Sequence, residues 1–180
     1  MTSSNISEIF SNAVEAPTEQ VMLEEVIVKK ETSADNLVYQ MVSFASYIYQ
    51  LNTQAHLLHL NVECSNFLAV HKFLKKQYEE HIADFDTISE IVRSMDYLMP
   101  SCQCGLMDAY KKFPAVKNYD AREGLTTYTK NLENGGMMAK DLVEMAREVG
   151  CPDCENELAA VCGRLFKGAW KLKATLRSSM

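Results

Sequence analysis

Residues 55–95 read AHLLHLNVECSNFLAVHKFLKKQYEEHIADFDTISEIVRSM, and the fold turns on this stretch. His59-Leu60-Asn61-Val62 closes one helical pattern. His71, Asp86 and Glu90 ride on the next, with Asn66-Phe67 at its start. Asp86 and Glu90 are one turn apart, so their carboxylates point the same way. His71 and Asp86 are separated by 86 − 71 = 15 positions on one helix, about 22 Å of axis. A single chain therefore cannot close one metal around all four side chains. Two copies of the helix meeting antiparallel about a two-fold axis would set His71 of one copy against the carboxylates of the other. The constellation points to an interface as much as to chemistry.

The periodicity around this stretch is helical throughout. A capping Ser33 opens a helix whose apolar residues Leu37, Met41, Phe44, Ile48, Leu51, Ala55 and Leu58 recur at steps of three and four, and it ends near Asn61. Past Cys64-Ser65-Asn66 a second stripe follows: Phe67, Val70, Leu74, Tyr78, Ile82, Phe85, Ile88, Val92 and Met95, stopped by Pro100. Residues 99–120 hold Pro100, Gly105, Pro114 and a small helical patch from Leu106 to Phe113, long enough for a crossover along a bundle. A third long helix spans about Asp120 to Glu148, with Gly135-Gly136 as a weak point in its middle. Cys151-Pro152-Asp153-Cys154 makes a tight link. The fourth helix runs to about Arg177 on Leu158, Val161, Leu165, Trp170, Leu172 and Leu176. No β-alternation competes. The chain is predicted all-α: a ferritin-like four-helix bundle over 34–180 with a long crossover between helices two and three. Residues 1–33 read as a flexible, acidic tail in which Val26-Ile27-Val28 is a candidate docking piece.

Composition narrows the function. The 180 residues are 47% hydrophobic, enough for one domain with a real core. No apolar run is long enough to span a membrane, and Met1-Thr2-Ser3-Ser4 opens no secretory signal, so a cytoplasmic location is expected. Net charge is −6, which excludes a generally basic nucleic-acid footprint.

His59-Leu60-Asn61-Val62, Asn66-Phe67, His71, Tyr78, Asp86 and Glu90 together resemble the first two helices of the Dps mini-ferritins, the DNA-protection-during-starvation family. The resemblance implies a hollow homo-oligomer, a dodecamer in that family, that oxidises ferrous iron and stores it as ferric mineral, with hydrogen peroxide as preferred oxidant. It implies that His59 and His71 come from one subunit and Asp86 and Glu90 from its neighbour, forming a ferroxidase centre that limits peroxide damage. Three departures stand out. Leu60 replaces the usual Trp, the Glu63-Cys64 region replaces a Gly, and Lys75 stands where the family carries an Asp one turn after the second His. An ammonium there repels iron, or pairs with Asp86 or Glu90 across the interface. Hence a second reading: a non-catalytic binding or structural protein on the same fold, with a degenerate iron centre. The Lys-rich tail that some Dps proteins use to hold DNA is missing, so DNA binding has little support.

Six cysteines remain to be placed. In the expected topology Cys102 and Cys104 share one end of the bundle with Cys151 and Cys154. Free thiols, disulfides and a shared zinc ion all stay open for these four. Cys64 falls at the opposite end, and Cys162 reads as core. His56, one turn before His59, is an optional extension of the iron site. His81 lacks a Glu three positions before it, so the intrasubunit di-iron motif of larger ferritins is not expected.

Overall fold

A computed structural model describes residues 33–178. The expected tail, with Val26-Ile27-Val28, falls outside the described residues save Ser33. Five helices follow in order: α1 (Ser33–Asn61), α2 (Phe67–Ser94), α3 (Gln103–Asp108), α4 (Ala121–Val149) and α5 (Pro152–Ser178). The long ones form a bundle: α1 packs along α2, α4 along α5, and α1 against α4. This is the expected all-α, ferritin-like arrangement, with α3 inside the crossover. Ser33 is the first helical residue of α1. The helix of the crossover starts and ends earlier than the expected patch from Leu106 to Phe113, because Cys102 caps it from outside.

α1 is the spine. Leu37, Met41, Phe44, Tyr47, Ile48, Leu51 and Ala55 are all fully buried, as their spacing requires. Amide side chains tie the crossover down. Gln50 donates to the Tyr110 carbonyl (2.8 Å), and Gln54 (3.1 Å) and Asn131 (2.8 Å) both donate to that of Pro114. Asp120 caps α4 by accepting from the Glu123 N–H at 2.6 Å. Gly150 ends α4 in the left-handed region (φ 77°), where a side chain would be strained, and its N–H satisfies the last carbonyls. The helix resumes at Pro152, so the α4–α5 link is two residues long, shorter than the cysteine motif suggested.

Two stripes differ from the sequence expectation. On α2 the buried face is Val70, Leu74, Gln77, His81, Asp84, Ile88 and Val92, while Phe67 and Ile82 are exposed. Periodicity assigns the apolar side of a helix to the core, and here the middle of the core side is polar. On α5, Trp170 is 64% exposed and lies outside the core. Cys162 is half-buried at the core's edge, its thiol donating to the Gly136 carbonyl.

Gly135-Gly136 does not interrupt α4. The pair admits neighbouring rings: a Cβ on Gly135 would lie 3.0 Å from Tyr47 Cε1, and one on Gly136 2.8 Å from Phe166 Cζ. Tyr47 cannot retreat. It is fully buried, donates to the Asn131 carbonyl at 2.7 Å, and is met edge-on by Tyr110 and Phe113. Gly163 on α5 is open, with nothing within 4 Å of its would-be Cβ. Gly163→Ala should therefore gain up to ~1 kcal/mol of helix propensity. Gly135→Ala should lose about 1–3 kcal/mol to overpacking, outweighing that same gain. Thermal unfolding of the two variants checks this; a stabilised Gly135→Ala would show that the contact with Tyr47 is not tight.

Candidate metal centre at the α1–α2 turn

Five residues connect α1 to α2 and bring the last turns of one beside the first turns of the other. His59 and His71 meet there, rings stacked with centroids 3.7 Å apart. Their backbones hold them reciprocally. His59 Nδ1 bonds the His71 carbonyl and His71 Nδ1 bonds the His59 carbonyl, both at 2.9 Å. The His59 carbonyl is among the last four of α1, which have no partner within the helix. A carbonyl only accepts, so both Nδ1 atoms carry the hydrogen. In the uncharged rings each Nε2 then keeps its lone pair, the state a metal-binding imidazole needs. His59 is buried and His71 half-buried.

The pair sits in an aromatic array. Phe67 flanks His71 (5.0 Å), Tyr78 meets His59 edge-on (5.4 Å), and the exposed His56 stacks on Tyr78 (4.2 Å). His56 braces the array; its ring centroid is 6.2 Å from that of His59. Asn52 donates to the Tyr78 carbonyl at 2.7 Å and fixes the register of α2 against α1.

Asp86 and Glu90 lie further along α2, both exposed and one turn apart. The structure brings His59 and His71 together and leaves Asp86 about 22 Å and Glu90 about 28 Å from His71 along the helix. Lys75 lies three turns before Asp86 on nearly the same side of α2. Within the chain its ammonium pairs with Glu79 at 3.8 Å, a contact more than half exposed on both sides and so of small energetic weight. Two imidazoles with carboxylates from another copy would make an N/O donor set that suits ferrous iron.

The cysteines divide. Cys151 and Cys154 are joined by a disulfide that staples the α4–α5 link. Cys154 is buried with its sulfur 3.9 Å from Met95 Sδ, so this link does share an end of the bundle with the close of α2. Among the described residues, the one group of three or more ligand-type atoms mutually within 4.8 Å is Cys151, Asp153 and Cys154. Cys102 and Cys104 stand outside it, exposed and free, so a single four-thiol zinc site is not assembled. With both sulfurs of Cys151 and Cys154 spent on each other, the remaining pair offers two thiols where a structural zinc takes four ligands.

The sequence reading passed over a polar line inside the bundle. Arg164 of α5 reaches Asp84 through Nε (2.9 Å) and Nη2 (2.6 Å). His81 Nε2 lies 2.7 Å from the Tyr128 hydroxyl, and Gln77 Nε2 donates to Glu80 at 2.7 Å. Burial pushes the Asp84 carboxyl up, with Arg164 pulling the other way. Burial also drives the His81 imidazole down to about 3 and the Tyr128 phenol well above its usual range. The 77–81–84 spacing, which places all three on one helix face, was the available signal.

The comparisons with known proteins bear on the fold. The ferritin-like domain family matches residues 40–179, and the chain belongs to it. No curated protein sequence matches. Among solved structures, the antigen TpF1 from Treponema pallidum superposes with a TM-score of 0.76 at 18% identity, covering 82% of this chain and 95% of that one. The Dps protein from Vibrio cholerae O1, described as a member of a broad superfamily of ferritin-like diiron-carboxylate proteins, gives 0.73 at 15%, covering 80% and 91%. An archaeal Dps homologue from Halobacterium salinarum gives 0.75 at 20%, covering 80% and 81%. The fold is that of a Dps-like mini-ferritin, at an identity that marks a divergent chain.

His81 sets an acid limit on the fold. Its folded value, about 3, lies below the ordinary 6.5. As pH falls below 6.5 the unfolded chain takes up a proton that the folded chain refuses, so stability drops. Between pH 7.5 and 5.5 the loss should be about 1.4 kcal/mol. Asp84, raised, acts with the opposite sign, and it is retained in His81→Gln. Denaturant midpoints for wild type and His81→Gln at the two pH values should show the slope flattened in the variant; equal slopes would place the acid sensitivity elsewhere.

Proposed function

We propose that the chain is the subunit of a Dps-like iron-handling shell, binding ferrous iron between two-fold related subunits and oxidising it. The observation that carries this reading is the His59–His71 pair, with both Nδ1 atoms tied to backbone and both Nε2 atoms left for a ligand. Asp86 and Glu90 of a neighbouring copy supply the negative charge that a ferrous ion, as substrate, needs. Peroxide is the oxidant proposed, by family resemblance. Leu57, Leu60, Phe67, Leu68 and Ile82 on α1 and α2 are exposed large apolar side chains, as expected of a surface that another subunit covers. Among the described residues no helix is long and apolar enough to cross a membrane.

Lys75 favours a second reading, a non-catalytic assembly protein on the same fold. It places a cation on the side of α2 that carries Asp86. The two readings separate in one experiment: ferrous oxidation by peroxide, followed by absorbance, for wild type, Lys75→Asp and His59→Ala. Iron handling predicts measurable wild-type oxidation. His59→Ala should weaken ferrous binding by roughly tenfold or more, and Lys75→Asp should speed the reaction by removing a positive charge and adding a negative one at each half-site. No oxidation by wild type or Lys75→Asp would leave the fold without this chemistry. Solution mass is the companion measurement: it should be a multiple of the 20.3 kDa chain, twelve-fold by family resemblance, and a monomer at neutral pH would reject the shared site.

A further inference from the structure

Cys102 and Cys104 take no part in the histidine centre or in the α4–α5 disulfide. Both are exposed, and their sulfurs are 2.6 Å apart, inside ordinary non-bonded contact and approaching the ~2.05 Å of an S–S bond. The Gly105 N–H points at Cys102 Sγ from 3.2 Å. Position 105 does not crowd the pair: even a Cβ there would meet that sulfur at 3.5 Å and Pro100 at 3.4 Å, ordinary contact distances. The Cys104 thiol and the Gly105 amide, in that order, lower the Cys102 thiol below its usual range and so favour the thiolate. The two other free cysteines differ. Cys64 and Cys162 are half-buried, and burial pushes the Cys162 thiol up.

We propose that Cys102 and Cys104 form a surface dithiol that hydroperoxides oxidise to a second disulfide, a thiol-based peroxide site separate from the iron-binding histidines. Cys102 is the attacking sulfur and Cys104 the resolving one. The Cys102 thiolate attacks one peroxide oxygen; the O–O bond breaks, the second oxygen leaves as hydroxide, and Cys102 becomes a sulfenic acid. Cys104 then attacks the Cys102 sulfur, the S–S bond forms and water leaves. In sum, two thiols and one hydrogen peroxide give one disulfide and two waters. Two electrons pass from sulfur to oxygen, and no metal is needed. External thiols return the pair to the dithiol by exchange.

The test uses the full chain, purified with chelator so that iron chemistry is absent, treated with one equivalent of hydrogen peroxide and then alkylated. Cleavage after Arg93 and Lys111 isolates a peptide carrying Cys102 and Cys104 alone among the cysteines. That peptide should lose both alkylation sites and two hydrogens while Cys64 and Cys162 are still alkylated, and it should react about tenfold faster than they do. Cys104→Ser should stop at the sulfenic acid, captured on Cys102 by dimedone. Cys102→Ser should leave Cys104 as slow as Cys64. Both positions are exposed, so neither change removes core packing, and an unaltered helical spectrum verifies the fold. The proposal is overturned if both thiols remain alkylatable after Cys64 has reacted, if Cys104→Ser yields no sulfenic acid, or if protein prepared without chelator holds zinc on this pair and the metal-free thiols still fail to react.

Discussion

Tyr47 ties three distant parts of the chain at one point. Its hydroxyl donates to the Asn131 carbonyl on α4, and its ring is met by Tyr110 and Phe113 of the crossover. It also fills the space opposite Gly135. Burial above all, and Tyr110 beside it, hold the phenol above its usual range, so the donated hydrogen stays in place. The long connection between α2 and α4 costs conformational entropy to order. Aromatic packing and the amide bonds of Gln50, Gln54 and Asn131 offset that cost, and α1 and α4 stay in register with each other. That register in turn gives α2 and α5 a fixed surface to pack on.

α2 serves two environments with one helix. Inward it presents Gln77, His81 and Asp84 among aliphatic residues, satisfied in part by Tyr128 and Arg164 from the other helix pair. In the Asp84–Arg164 pair only the carboxylate is buried, so removing the partly exposed Arg164 would leave an enclosed carboxylate without its cation, which is costly. Such a pair ties α2 to α5 at a defined height, which apolar packing alone does less strictly. Outward, α2 presents His71, Lys75, Ile82, Asp86 and Glu90. Its outer chemistry therefore depends on an inner register that polar contacts define.

Reciprocal bonding between His59 and His71 fixes both imidazoles at the helix–helix turn, which is half of the site proposed above. The backbone supplies the second-sphere partners that a carboxylate supplies in many metal sites. The other half lies too far along a rigid rod to fold back. On the proposed reading the carboxylates come from a second copy, because helix geometry keeps Asp86 and Glu90 away from the histidines of their own chain. Thiol chemistry at Cys102 and Cys104 needs no second copy, because a tight turn closes that pair within one chain.

The sequence by itself determined the four long helices, their order, the crossover and the family likeness, because helical periodicity and a run of motif residues are local properties of the chain. The family resemblance of residues 55–95 also implied that His59 and His71 belong to one subunit, and the five-residue link sets them side by side. What the chain order did not determine was which side of α2 faces the core. Ile82 and Phe67 read as buried and are exposed, while Gln77, His81 and Asp84, which are no part of the apolar stripe, are enclosed. Burial of a polar side chain depends on partners such as Arg164 and Tyr128, 80 and 47 residues away, and no local pattern records them. The cysteines show the same division. The expected topology put the Cys151–Cys154 link at the end where α2 closes, as Cys154 beside Met95 bears out, but only tertiary structure decided that Cys151 bonds Cys154 and that Cys102 faces Cys104, because a sulfur–sulfur contact is set by backbone direction over a fraction of an ångström.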